Sequence, residues 1–143
     1  MIEMTLEIAE RAVRATQAKA RQLGTPITVS VVDEAGRLVL CARGDRTGFF
    51  TPDTSRAKAA AAAAFRRTTK SMAEERGAHG DFWDNLAAVV AGQALPSTGG
   101  VPILKEDRII GAVGCSGGTS EQDHYCAAAG AEAGGSARTG SES

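Results

Sequence analysis

Six consecutive alanines, Ala59 to Ala64, lie inside a segment from Ser55 to Lys70 that is built mostly of good helix formers. A helix with so little bulk can settle unusually close to its neighbour, a sheet or a symmetry mate, and the rest of the chain must be compatible with that approach. Thr51-Pro52 offers it a cap and first-turn pair. Composition points the same way, because 17 glycines against four Phe, one Trp and one Tyr describe an interior of small residues.

The flanking segments supply the rest of the fold. Leu6, Ala9, Val13, Thr16, Ala20 and Leu23 recur at three- and four-residue steps, so Thr5 to Leu23 reads as an amphipathic helix capped by Thr5 and stopped by Gly24 and Pro26. Ile27 to Asp33 and Leu38 to Ala42 alternate as strands, and Asp33-Glu34-Ala35-Gly36 between them makes a hairpin turn with Gly36 at positive φ. Met72 to Gly80 is polar and irregular, and Asp81 to Ala91 is expected to form a short helix. A second hairpin joins Val101–Leu104 to Arg108–Cys115, and Thr119 with Gln122 forms a capping box for a last helix running to about Ala133. Residues 134–143 lack apolar side chains and are expected to be a disordered tail after a single domain over 1–133. Helices and hairpins alternate without a βαβ rhythm, which implies an α+β domain with one antiparallel sheet of about five strands flanked by helices. Burying the leftover alanine face favours a homo-oligomer.

Charge narrows the function. With 16 basic and 17 acidic residues the net charge is −1, and the cations are scattered, so neither nucleic acid nor an anionic membrane surface is an expected partner. No run of 18 apolar residues and no signal-peptide pattern occurs, and Cys41, Cys115 and Cys126 match no disulfide framework, so the cytoplasm is the expected compartment. His124 and Cys126, two apart, aim about 200° from each other on a helix and do not chelate one ion, so no metal site is expected.

The residues in this order, Val29-Ser30-Val31-Val32-Asp33-Glu34-Ala35-Gly36-Arg37-Leu38, Ser55-Arg56-Ala57-Lys58-Ala59, Gly99-Gly100-Val101-Pro102-Ile103 and Ile110 to Gly118 followed by Gln122-Asp123, resemble the GlcG-like or HbpS-like haem-degrading family, which includes the C-terminal domain of PduO-type proteins. The resemblance spans nearly the whole chain. It implies a profilin-like, GlcG-like architecture, assembly as dimers or larger rings, and haem as a cofactor in some members. Phe82-Trp83-Asp84-Asn85 and His124-Tyr125-Cys126 depart from the family's usual pattern.

Candidate site residues fall in four places. Gly117 and Gly118 precede a helix and either present backbone donors to an anion or merely form a glycine turn; Gly99 and Gly100 add a second wall of bare backbone. Arg56 and Lys58 oppose the dipole at the start of the alanine helix, so each is a candidate clamp for a carboxylate, or a structural partner of Asp53 or Asp33. Asp123 is a cap or a base; His124, His79 and Lys58 complete the candidate acid–base set, and Phe49 with Phe50 could cover an apolar pocket. Two functions follow: a small-ligand binding protein taking haem or another anionic planar molecule, or a cofactor-independent enzyme performing proton transfer, isomerisation or hydrolysis on a small carboxylate or carbonyl compound. An accessory, structural subunit is the third.

Overall fold

A computed structural model describes residues 3–140. Helix α1 (Leu6–Leu23) is followed by strands β1 (Thr28–Asp33) and β2 (Leu38–Ala42), helices α2 (Thr51–Phe65) and α3 (Thr69–Val89), strands β3 (Gly100–Lys105) and β4 (Arg108–Ser116), helix α4 (Ser120–Gly134) and strand β5 (Ser136–Ala137). The strands form one sheet in the order β2-β1-β4-β3-β5, with every pair antiparallel. This is the expected α+β arrangement. None of the described helices is long and apolar enough to cross a membrane.

The period of two in β1 divides the molecule into layers. Val29 and Val31 join Ile8, Ala12, Val13, Cys126, Ala127 and Ala131 in a core between the sheet and the α1–α4 pair. Thr28, Ser30 and Val32 face α2 on the other side, where Thr28 bonds Thr51, Ser30 bonds Ser55 at 2.7 Å and Val32 packs on Ala59, Ala62 and Ala63. The alanine helix comes this close because beneath it β3 and β4 carry glycines at 100 and 114 and only the methyl of Ala112. A Cβ at Gly114 would collide with the Ser55 carbonyl oxygen, and one at Gly100 with that of Lys58. On the opposite layer, Gly130 leaves the same kind of room for Thr16 and the Ala12 carbonyl. The alanine face is therefore used within the chain: Ala59 and Ala62 meet the sheet, and Ala61 meets Met72, Trp83 and Leu86 of α3. Of the six alanines, Ala64 is left exposed and Ala60 half-buried, so most of the face that motivated an oligomer is covered by the chain itself.

Several boundaries differ from the sequence reading. The polar stretch Met72–Gly80 is helical: α3 is one element with a kink at His79, where φ is −134° and ψ 42°. Its long first half is held by the Thr68 cap on Ser71 and the Lys70–Glu74 pair at 2.9 Å, while buried side chains come only at Thr69, Met72, Trp83 and Leu86, too sparse to show a period. Helix α2 ends at Phe65, with Arg66 left-handed at φ 61°, and its cap position is Phe50 rather than Thr51, whose hydroxyl donates to the Gly48 carbonyl instead. In the tail, Ser136–Ala137 add an edge strand to β3, because backbone pairing needs no apolar side chain; residues 141–143 of the expected disordered tail lie outside the described residues. The β3–β4 turn closes without glycine, placing Glu106 and Asp107 at φ 50° and 64°.

Gly114→Ala is expected to destabilise the protein by about 1–3 kcal/mol or more through overpacking under α2, whereas Ala64→Leu on the exposed side of the same helix should stay within about 0.5 kcal/mol. Urea denaturation of the two variants checks both. Equal stabilities would mean that α2 does not rest on the β4 backbone.

Candidate functional site

Thr51, Thr54 and Lys58 recur at three- and four-residue steps in α2 and so share one helical face. That face looks onto the end of β4 and the turn into α4. Together with the loop before α2 and the 95–97 segment, held by the Leu95 amide donating to the Ala57 carbonyl at 3.0 Å, they enclose a cleft of about 410 Å³. Its walls carry hydroxyls. Thr28 links Thr47 and Thr51 at 3.0 and 2.8 Å beneath the loop, and the Thr54 hydroxyl donates to Ser116 Oγ at 2.8 Å.

Lys58 and Asp123 lie at the bottom. Lys58 Nζ donates to the Cys115 carbonyl at 2.9 Å and to Asp123 Oδ2 at 3.2 Å, with both side chains under a tenth exposed. An ammonium has three donors, and these two partners leave one for the cleft. Asp123 Oδ1 accepts the Gly118 amide at 2.9 Å. Burial pushes the Asp123 carboxyl above its ordinary value, opposed by the Lys58 charge and the Gly118 bond. Arg46 stands exposed on the rim at φ 65°, so the charged side chains lining the cleft are Arg46 and Lys58 against Asp123, an excess of one cation.

The sequence candidates separate. Lys58, Asp123, Gly117 and Gly118 meet in the cleft. The donors expected to take an outside anion are engaged by the chain itself: Gly118 N–H goes to Asp123, and Thr119 N–H to Gln122 Oε1 at 2.9 Å. Gly99 and Gly100 lie behind the lysine as its seat, since a Cβ on Gly99 would press on Lys58 Cδ and one on Gly100 would strike the Lys58 carbonyl. Arg56 leaves the site and donates to the Gln93 carbonyl at 3.4 Å. Phe49 is 90% exposed and stacks edge-on with Phe50, which does line the cleft. His79 sits at the α3 kink, exposed, 3.9 Å from Glu75. His124 faces a different groove of about 440 Å³, with Lys70, Glu74, Thr98 and Tyr125. Arg46, Thr47, Thr54, Ser97 and Ser116 were not singled out by sequence; only Thr54 carried a signal, its four-residue spacing from Lys58.

Haem, which the family resemblance implies, can be tested against these donors. Iron takes an axial His, thiolate, Met or Tyr, and the cleft is lined by none of them. Cys115 and Cys126 are buried and their thiols are pushed up, the second to about 11, so both stay protonated. Met72 is sealed in the core. A ligating histidine ordinarily donates its second ring N–H to a partner, whereas Nδ1 of His124 is buried with none, and burial holds this imidazole below its usual pKa. The Lys58 cleft thus offers haem iron no axial ligand, and His124 and Tyr125, side chains of that kind, line the other groove. The described residues contain no cluster of three or more His, Cys, Asp or Glu able to hold a metal ion.

Known proteins resemble the chain along most of its length. The family model described as "Haem degrading protein HbpS-like" matches residues 4–132. An uncharacterised 15.0 kDa protein from the dhaT-dhaS intergenic region of Citrobacter freundii is 32% identical over 124 residues, covering 87% of each chain. Protein GlcG of Escherichia coli K12 is 34% identical over 113 residues, covering 79% of this chain and 81% of its own. Among solved structures, a double mutant of Streptomyces reticuli HbpS superposes with a TM-score of 0.80 at 28% identity, over 92% of this chain and 86% of that one. PduOC, crystallised as a heme complex, superposes with a TM-score of 0.82 at 24% identity, over 92% and 95%, and at that identity speaks for the fold alone. The family-model match over nearly the whole chain, the relatives above 30% identity and the superposition on HbpS agree: the chain belongs to the HbpS-like haem-degrading protein family.

Proposed function

We propose that the chain binds a small anionic oxygen compound, a carboxylate carrying a carbonyl or hydroxyl group, in the cleft above Lys58 and Asp123, and moves a proton on it without a cofactor. The buried Lys58–Asp123 pair at the bottom of a hydroxyl-lined cleft carries this reading. Arg46 on the rim meets the carboxylate, whose charge balances the cleft's excess cation. The third Lys58 donor and the Thr54–Ser116 hydroxyls hold the second oxygen, and Asp123, its affinity for a proton raised by burial, gives or takes the proton. PduOC was crystallised with heme and the family is named for haem degradation; for this chain the donor set lining the cleft supports the oxygen compound instead. The reading includes a homo-oligomer in the cytoplasm, supported by Phe49 standing 90% exposed and by three free cysteines. Light scattering at micromolar concentration is expected to give more than the monomer mass.

Arg46→Ala tests the site with little risk to folding, since the side chain is exposed. Pyruvate and lactate, titrated by NMR, are expected to bind the wild type and to lose about tenfold to hundredfold in affinity in the variant, as about 1.5–3 kcal/mol of charge-assisted bonding disappears. Unchanged affinity would sink the clamp. Haemin titration is expected to give no Soret band of a ligated complex; a saturable one would overturn the preference for the oxygen compound.

Asp123 also predicts a pH dependence. A carboxyl whose folded pKa is raised binds its proton more tightly in the native state, so stability is highest below the ordinary value of 3.8 and falls as pH rises from there through the higher folded pKa. Asp123→Asn should flatten that slope, measured as the unfolding midpoint in urea across acidic pH.

A further inference from the structure

We propose that Lys58 is a covalent residue: its Nζ forms an imine with the carbonyl carbon of a 2-oxo acid held in the cleft, with Asp123 as the proton carrier. This deepens the reading of the cleft as a small-carboxylate site and rests on it. Three observations converge. The amine is nearly enclosed, opens on the cleft and has one donor position without a protein partner. A carboxylate oxygen sits 3.2 Å from it, in reach of direct proton exchange. The end of the stem lies against Gly99, where a Cβ would come within 3.1 Å of Cδ and Nζ, so the nitrogen is placed from below as well as above. A pair kept only as a structural tie between α2 and α4 gains nothing from opening on a cleft ringed by hydroxyls. A lysine amine held beside a proton acceptor and opening on a cleft is the arrangement from which imines with carbonyl substrates form.

The step balances without an outside oxidant or reductant. Lys58 passes a proton to Asp123, leaving a neutral amine and a carboxylic acid, an exchange helped by the burial that raises the Asp123 carboxyl. The amine lone pair forms the C–N bond as the carbonyl π pair moves onto oxygen, which takes the proton from Asp123. The carbinolamine nitrogen then passes a second proton to Asp123, which delivers it to the hydroxyl as the C–O bond breaks and the nitrogen lone pair forms the C=N bond, and the oxygen leaves as water. The net change is ketone plus lysine ammonium to protonated imine plus water, with Asp123 returned as the carboxylate. Thr54 and Ser116, already hydrogen-bonded to each other, line the cleft where the departing oxygen can be received.

The test is reductive trapping of the full chain with pyruvate and sodium cyanoborohydride, followed by peptide mapping. The sequence has four lysines, Lys19, Lys58, Lys70 and Lys105, so the other three are internal controls. A carboxyethyl group is expected on Lys58 ahead of the more exposed Lys70, no adduct with lactate, and none at position 58 in Lys58→Arg. Asp123→Asn should slow trapping at Lys58 by about a hundredfold or more while leaving the controls unchanged. Pyruvate that binds by NMR but leaves Lys58 unmodified overturns the imine and spares the binding site. Failure of pyruvate to bind at all overturns both. The wild-type map decides even if a variant does not fold.

Discussion

Everything at the site depends on how closely α2 lies against β3 and β4. A helix normally stands off a sheet by the thickness of two layers of side chains, and here both layers are nearly missing. Gly114 and Gly100 remove one, and Ala59, Ala62 and Ala63 reduce the other to methyl groups. A lysine on such a helix has to run its stem along the sheet rather than out to water. Its length brings Nζ to the Cys115 carbonyl at the end of β4, and so to the turn that launches α4. With bulkier residues at Gly100 or Gly114 the same lysine would reach solvent, where a charge contributes little.

The ion pair is best understood from the α4 side. The first turn of a helix leaves amides in need of acceptors, and in this chain Thr119, Gln122 and Asp123 supply them from within. Two of the amides that a glycine turn before a helix offers to an anion, those of Gly118 and Thr119, are thereby taken up within the chain, the first by a fixed carboxylate. Asp123 then holds Lys58, whose other hydrogen-bond partner is the Cys115 backbone carbonyl. Removing either partner would strand the other in a desolvated place, at a cost of about 3–5 kcal/mol, so the pair persists although burying it gains little.

The sequence was legible where a local rule acts alone. Thr5, Gly24, Gly36 and the Thr119–Gln122 box behave as their neighbours dictate, and β1 keeps its period of two across both layers. It was opaque where contacts distant in the chain decide. Nothing local shows that Met72 and Trp83 pack on the same alanine, so the first half of α3 reads as loop, with Gly77 and Gly80 seeming to confirm it. Lys58 was chosen for opposing the helix dipole, and the compensation turned out to be Asp123, 65 positions away rather than in the same turn. Arg56 drew the same suspicion, yet two residues along a helix is a different face, and that face meets the Gln93 loop.

Family and chemistry are thus carried by different parts of the structure. The overall fold is the part this chain shares with HbpS, and within this chain the sheet order and the glycine seat under α2 govern folding whatever occupies the cleft. Chemistry is left to the few side chains the frame brings together, and these are oxygens, one ammonium and a rim guanidinium, all hard groups suited to oxygen compounds. A porphyrin needs the reverse, broad apolar walls and a soft or imidazole donor with its own supporting bond. His124 comes nearest, but its inner nitrogen has nothing to bond, so turning its outer nitrogen to a metal would bury an unsatisfied N–H costing about 1–3 kcal/mol. In this chain the two tasks overlap on one face of α2, where Thr51, Thr54 and Lys58 tie the helix to β1, β4 and α4 and also line the cleft, so a change of ligand here would have to spare those ties.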